Sequence, residues 1–570
     1  MRFSSNGIRS LLRAAAPALF VLPALFSCSP ADTAAPAAAT PVLHFVASGI
    51  CVTGLGGFDE VDEVEVGNSG PAASFWFAGG CLRVPCRWSP GETYHVRVAG
   101  RGGGASRSVA LSARAPQQPG FAVLNIVGLR AHLGGTESPG GDSGPTACAI
   151  SPDGRWCAVG SGDGRLVLFS VPAAEVRARR YHAGAYIRSL AFAESDRGLL
   201  LLVGEQSPRG AFVVYRVGDE GGGGGGLRQT WRYATSDDVG TALRDPSDPY
   251  GWAHEPGIYR ILPLPDGEAL ALAVYSRGGG GDRIERSVLY RFSLAGRRAV
   301  WRWPRQAPLD AVATWFDADP AGRTAALCSY RGGDGEGSVR VIEGAGGRLL
   351  ARHRVSPLRP LLRRVTFWRS LAVSPDGRRV ALATNDGRAW LWSPGEDALP
   401  VPVTLGEPMV IGELPLLISG AGVAATASAA LFVTGTTYLP WELTSERVPP
   451  EPHPQALVVL AYGWDGRLRG TLPVPSLAQG VSLGGRGRWL LLSYSSDPQF
   501  GPPGGSGLLA VSLGGPRIAA VASYPLAGGA MHGPPAASPD GHLIVLTERP
   551  RRARGGERSI GADRLHFLCW

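Results

Sequence analysis

Chemistry in this sequence has to be sought among cysteine, histidine, serine and acidic side chains, because the 56 basic residues include no lysine and every cation is an arginine. Lysine-bearing phosphate loops, Schiff bases and Ser-x-x-Lys nucleophile pairs all need an amine, so those chemistries are excluded. Gly141-Asp142-Ser143-Gly144-Pro145 sets a serine between glycines, in the manner of a presented nucleophile. His132 lies close upstream and no Ala-His-Cys segment accompanies it, so the stretch reads as a loop. The ten histidines fall at no metal-ligand spacing, no Cys-x-x-Cys pair occurs, and Cys81 and Cys86 have no histidine partner, so no metal is expected. Asp317 and Asp319 sit at a repeat turn and are read as turn residues. Asp59, Glu60, Asp62, Glu63 and Glu65 read as the solvated face of a strand rather than a calcium site. The glycine run 221–226 lacks the strand-to-helix setting of a phosphate loop and reads as a connector. With no Gly-x-Ser-x-Gly elbow either, the chain is expected to be non-enzymatic and to carry no cofactor.

The elements that must position any site follow from length and patterning. A chain of 570 residues holds two to four domains, or one repeat array with an appendage. Glycine and proline together make about 22% of it, while 44% hydrophobic content is ordinary for a folded protein, so it folds and is rich in turns. The net charge of +9 is scattered and interleaved with 47 acids, without the stripe or patch that nucleic-acid binding requires, so no nucleic-acid partner is expected. Residues 1–27 combine Arg2, Arg9 and Arg13 with an apolar run over 14–26, too short to span a bilayer, which is the pattern of a cleaved export signal. Leu25-Phe26-Ser27-Cys28 resembles the lipobox of bacterial lipoproteins, and the resemblance implies that Cys28 becomes the acylated first residue; an ordinary secretory signal with an incidental cysteine is the alternative. An Ala/Pro tether, 28–40, would follow. Export permits disulfides, and Cys148 and Cys157 flank a turn in a way that allows either a bridge across a hairpin or simple burial.

From 41 to 117, short alternating runs at 42–47, 64–66, 74–77, 93–98 and 108–112 are separated by Gly and Pro clusters, the pattern of a small antiparallel β-sandwich. Within it, Trp88-Ser89-Pro90-Gly91-Glu92-Thr93-Tyr94 is similar to the corner before a late strand of immunoglobulin-like modules, where a tyrosine turns the chain. From 121 to 570 a long imperfect repeat takes over. Ser151-Pro152-Asp153-Gly154, Ser374-Pro375-Asp376-Gly377, Ser538-Pro539-Asp540-Gly541 and Leu264-Pro265-Asp266-Gly267 each precede an apolar run. The first two also reach a second Asp-Gly, at 163–164 and 386–387. Proline presets the first turn dihedral, aspartate caps its own backbone and glycine supplies the positive φ. Looser copies turn at Asp196, Asp319, Ser428 and Gly485, with roughly 55 residues per repeat against the roughly 40–45 of a WD repeat. The pattern resembles bacterial WD-repeat-like propellers. The expected fold is therefore all-β: an eight-bladed, alternatively seven-bladed, β-propeller preceded by the sandwich. The strand at 121–127, without a hairpin partner of its own, is expected to complete the last blade.

Function is expected on the face opposite the Ser-Pro-Asp-Gly turns, where the long connections 234–257, 276–286, 330–337, 436–455, 495–507 and 548–564 gather. Tyr250, Trp252, His254, Tyr330, Arg331, Tyr438, Trp441, Phe500 and Arg552 are the candidate binding residues, being mostly of the types that anchor interfaces. The layout is similar to the lipoprotein propeller that serves the outer-membrane barrel-assembly machinery, without its tryptophan-rich repeats. The implied protein is a lipoprotein of the bacterial cell envelope, periplasmic or surface-exposed, held to the membrane by its N-terminal lipid and docking an envelope or extracellular protein. The alternatives are an envelope enzyme or carbohydrate- or small-ligand-binding propeller working at the central channel, and a surface adhesin.

Overall fold

The computed structural model describes residues 40–570 apart from 48, 68–71, 73, 79, 134–143, 172, 220–224, 243–254, 278–282, 333–334, 358–364, 366–368, 395–398, 407–408, 412–413, 439–452, 496–504, 514–517, 527–528, 532 and 553–558. Among the described residues no helix is long and apolar enough to cross a membrane. The capped turn is the local rule from which the larger part is built. At Ser151 the hydroxyl donates to Asp153 Oδ1 at 2.5 Å, the Arg155 amide donates to the same oxygen at 3.0 Å, and Gly154, at φ 69°, closes the turn by donating its N–H to the Ser151 carbonyl at 2.9 Å. The Ser374 and Ser538 turns repeat this, with Gly377 at φ 72° and Gly541 at φ 73°. In the fourth copy Asp266 itself takes the left-handed conformation beside Gly267. Each turn sends an apolar strand back along the one before it, and further antiparallel strands follow.

The result is a β-propeller. Among the described residues the strands of 122–569 fall into eight antiparallel units of four or five strands, the second and third joined into one sheet by the Gln206–Gly257 pair, and one two-stranded ribbon. Seven are meanders over 145–181, 186–234, 257–303, 312–355, 371–404, 409–473 and 477–526. The eighth is shared between the chain's two ends: Leu543–Arg549 pairs with Arg564–Cys569, and Arg564–Cys569 pairs with Ala122–Gly128, as the unpartnered strand predicts. Buried side chains pack between neighbouring sheets, as where Leu168, Ile187, Leu201 and Val213 join the first and second units. The outermost strands are amphipathic or polar, Val176–Tyr181 and Leu468–Pro473 among them, which suits strands with one side in water.

The small domain is a two-sheet sandwich. One sheet orders Val42–Val46, Gly49–Thr53, Cys81–Pro85 and Trp76–Ala78; the other orders Glu60–Val66, Thr93–Gly102 and Ala105–Arg114. Two of these strands, Gly49–Thr53 and Cys81–Pro85, were not expected, because each is a short run through a cysteine without polar alternation. The Ser89 amide donates to Tyr94 Oη at 2.8 Å, and the Trp88 indole donates to the Val46 carbonyl at 2.9 Å, which ties the segment to its own strand and to the first one. The sandwich is not a separate body, for residues 40–570 form one compact unit. Val46 and Cys51 are buried together with Ala122 and Cys569, Arg83 pairs with Asp540 at 3.5 Å, and the Gly120 amide donates to the Phe45 carbonyl. The sandwich thus seats on a capped turn of the last unit.

All seven cysteines in the described residues are unbridged. Cys157 pairs across its hairpin with Ile150, and Cys148 with Val159, so the two sit diagonally rather than opposite, and burial is the reading that holds. Burial pushes the Cys81 and Cys328 thiols up to about 12. Reagents do not reach thiols buried to this degree, so site-resolved maleimide labelling at pH 8 should leave Cys51, Cys81, Cys157, Cys328 and Cys569 unmodified until denaturant is added. Ring closure has its own test. Trp570 is 1% exposed and lies against Phe121, ring centroids 4.5 Å apart, and edge-on to Trp489. Trp570→Ala should cost about 3–5 kcal/mol, measured as a fall in the urea midpoint.

Candidate functional site

Two places in the propeller gather polar groups: the rim where the long connections emerge, and the central channel. The channel is a cavity of about 520 Å³ lined by the inner strands of successive units, with residues from Thr146, Arg188, Tyr259, Trp315, Leu371, Ala421 and Val481 through to Pro534. These inner strands share a defect. Register shifts interrupt their pairing beside Thr146, Arg188, Tyr259, Thr314, Ala421 and Gln479, near the strand's start in all but the Ala421 case. A bulge inserts one residue and re-aims its side chain. Repeated around the ring, it puts polar groups on strands that otherwise read as apolar. Thr146 donates to the Ile187 carbonyl at 2.6 Å and Ser189 to the Ile258 carbonyl at 3.1 Å, which laces inner strands of neighbouring units together.

Four charged residues line the channel: Arg188, Arg260, Asp317 and Arg369. The Arg260 guanidinium stacks on Trp315, 3.7 Å from the ring centroid, and its Nη2 donates to Asp317 Oδ1 at 3.1 Å. Burial raises the Asp317 carboxyl above its ordinary range, against the opposing pull of Arg260 and of the Val373 amide, which donates to it at 2.9 Å. Arg188 lies over the Tyr259 ring at 4.7 Å. Arg369 holds a left-handed backbone, φ 50°, just ahead of its inner strand, and donates across the channel to the Gln479 carbonyl. Asp317 is therefore a channel residue and not a turn residue. Asp319 is the turn residue, accepting from the Thr324 amide at 2.7 Å and from Arg323 Nε at 3.0 Å.

At the rim, a buried acid is answered twice by the same residue types. Glu205, 1% exposed, contacts His182 Nδ1 and receives Arg232 through two bonds of 2.7 and 2.6 Å, while Tyr215 Oη lies 3.0 Å from His182 Nε2. Glu548, also 1% exposed, sits 2.8 Å from His566 Nε2, with Tyr524 Oη 3.0 Å from His566 Nδ1 and Arg564 at 3.8 Å. In the first network the histidine comes from the connection leaving the preceding unit and the tyrosine from the acid's own unit. In the second the roles exchange, because Tyr524 belongs to the preceding unit's outer strand. Both join adjacent units through a buried carboxylate, with both oxygens of Glu205 and the Oε2 of Glu548 in contact with a basic side chain, which is a structural use of residue types that elsewhere do acid–base chemistry. Among the described residues no three His, Cys, Asp or Glu side chains are placed to hold a metal ion.

Of the residues expected to bind, Tyr330 and Arg331 stand at the start of one rim connection: Tyr330 is half-buried against the neighbouring core, and Arg331 is exposed with its amide donating to the Glu336 carbonyl. Tyr438 ends the strand Ala429–Tyr438, and Arg552 lies in a two-residue ribbon, Arg551–Arg552 with Ser559–Ile560, inside what was expected to be a plain loop. Cys28, Tyr250, Trp252, His254, Trp441 and Phe500 lie outside the described residues. The channel arginines escaped sequence reasoning. Their only signal is a charge near the start of an apolar run, Tyr186-Ile187-Arg188-Ser189-Leu190 and Ile258-Tyr259-Arg260-Ile261-Leu262.

Comparison with known proteins gives one family match and several solved structures of low similarity. Residues 136–170, covering the inner strands of the first unit, match the WD40 family, WD domain, G-beta repeat. Similar solved structures include the Dos1 propeller, at 11% identity over 75% of this chain and 78% of that one, with a TM-score of 0.38. The Cps50 (Swd1) β-propeller domain of Myceliophteria thermophila shares 11% identity over 79% and 99%, with a TM-score of 0.40. Raptor of Chaetomium thermophilum shares 11% over 79% of this chain and 28% of that one, with a TM-score of 0.41. No curated protein matches the chain.

The Glu205 network sets an acid limit on stability. Burial by itself would raise the carboxyl, but the bonds from His182 and Arg232, and their charges, outweigh it and hold it below its ordinary range. A carboxylate depressed in the folded state contributes fully above the unfolded value, about pH 4.3, and loses that contribution as pH falls through the folded value. Glu205→Gln should lower stability at pH 7 by about 3 kcal/mol. Urea titrations should show the difference from wild type shrinking below about pH 4.

Proposed function

We propose that this WD-repeat-like propeller is an exported, lipid-anchored and non-enzymatic scaffold of the bacterial cell envelope that docks another protein on the face carrying its long connections. A WD-repeat-like propeller is in general a protein–protein interaction scaffold. The observation that carries the reading here is the asymmetry of the two faces. One is made of short capped turns and has the sandwich seated on it through Arg83 and Asp540. The other bears the connections after Arg277, Tyr330, Tyr438, Ser495 and Arg549, and the one between Ala234 and Gly257. Long surface connections on a rigid frame are where recognition concentrates, and the covered face leaves the opposite one for a partner.

The anchor and the small domain belong to the same proposal. The lipobox-like Leu25-Phe26-Ser27-Cys28 and the Ala/Pro stretch after it support acylation at Cys28 with a short tether. The tyrosine corner at Tyr94 and the two-sheet arrangement support an immunoglobulin-like sandwich, acting as a spacer between membrane and propeller.

Two measurements check these parts separately. Cys28→Ser should move the protein from the membrane to the soluble fraction of lysed cells; unchanged membrane retention would remove the lipid anchor from the reading. Co-purification from detergent-solubilised envelopes should recover a specific partner with wild type and lose it when 436–455 and 548–564 are shortened. Recovery of the same partner with both forms would place docking elsewhere, and protease shaving of intact cells separates a surface adhesin, which is cut, from a periplasmic scaffold, which is not.

A further inference from the structure

Among the described residues, the charged groups that line the channel are three arginines and one acid. Arg188, Arg260 and Arg369 face one cavity with Asp317 as their acidic companion, and they come from the second, third and fifth units, about 70 to 180 residues apart in the chain. With Asp317 ionised, these four described side chains together carry a net charge of +2. Buried arginines are ordinarily matched by acids or by several acceptors. Here Arg260 spends one nitrogen on Asp317, while its Nη1 is buried with no hydrogen-bond partner among the described residues. Arg188 has an aromatic ring, Tyr259, for its near neighbour. Burial and the charges of Arg188 and Arg260 together push the Arg369 guanidinium down to about 10, as expected of cations crowded together.

The remainder of the cavity differs in character. Val423, Val481, Leu483 and Pro534 line it from the sixth, seventh and eighth units, and Trp315 and Tyr259 flank the arginines. One side is cationic with aromatic platforms; the other is mostly apolar, with the hydroxyl residues Ser482, Thr547 and Thr146 among it. Arg188 and Arg260 stand near the starts of their inner strands and Arg369 just precedes its own, so the cationic end opens toward the face of the long connections.

We propose that the channel is a binding site for a small organic phosphate monoester, or an equivalent dianion, whose head is held by Arg188, Arg260 and Arg369 and whose apolar body lies against Val423, Val481 and Pro534. A dianion matches the excess charge, and guanidinium groups grip phosphate oxygens through paired N–H donors. About 520 Å³ accommodates a small organic molecule but not a folded partner. The site stands apart from docking at the rim, so failure of either leaves the other intact.

Phenyl phosphate, benzoate and inorganic phosphate serve as probes in calorimetric titrations of the full-length protein in detergent. Phenyl phosphate should bind at least about tenfold more tightly than benzoate or inorganic phosphate, and the affinity should fall with added salt. Arg188→Met and Arg369→Met should each weaken phenyl phosphate by about tenfold or more while the thermal midpoint of the unliganded protein stays near wild type. Arg260→Met disturbs the Trp315 stack and is the variant most exposed to misfolding, so the conclusion rests on the other two. Absence of phenyl phosphate binding at millimolar concentration, or undiminished binding by both variants, would overturn the proposal. Equal affinity for inorganic phosphate would overturn its apolar half.

Discussion

A ring of sheets is only as stable as the joint that closes it, and in this protein the joint is the pairing of Ala122–Gly128 with Arg564–Cys569. Without it the last unit would end on an open strand edge, and every sheet in a propeller packs on two neighbours, so an open joint weakens the contacts on both sides of it. The two ends of the propeller are therefore brought together by backbone hydrogen bonds and sealed by Phe121 against Trp570. Closure also seats the sandwich. The chain enters the ring directly from it, and Val46 and Cys51 share a buried cluster with Ala122 and Cys569, so the small domain rests on the joint itself.

Polar groups inside such a ring gather in a few places, and most of them have partners. Capped turns consume the Ser and Asp side chains on one face. At the rim, Glu205 and Glu548 are each surrounded by histidine, tyrosine and arginine, and each ties its unit to the one before it. That the same four residue types meet in both places from different strands argues that the constraint is physical: a carboxylate buried between blades needs polar partners.

The channel departs from that economy. Arg260 keeps one buried nitrogen without a hydrogen-bond partner among the described residues, and bulges in the inner strands fall at Arg188 and Tyr259, beside the lumen. Rigid sheets, a rim of long connections and a cationic channel opening toward that rim give the protein two recognition surfaces of different kinds, one suited to a macromolecule and one to a small anion.

How much of this was legible depends on the range over which each feature is encoded. Turn chemistry is local: Ser-Pro-Asp-Gly carries its own caps and its own positive-φ residue, so the hairpins at 151–154, 374–377 and 538–541, and with them the repeat and the all-β class, were readable from residue types alone. The orphan strand at 121–127 was readable by the same logic, since a strand with no neighbour in sequence must find one in space. Gly49–Thr53 and Cys81–Pro85 were missed because strands buried by a neighbouring unit lose the polar alternation that marks them. Arg188, Arg260, Asp317 and Arg369 lie in different blades, and a single bulge decides whether such a side chain meets the core or the lumen, so nothing in their local sequence marks them as a group. Local hydrogen bonding wrote the blades into the sequence; only closing them into a ring decided which residues share the channel, because that proximity exists across blades and nowhere along the chain.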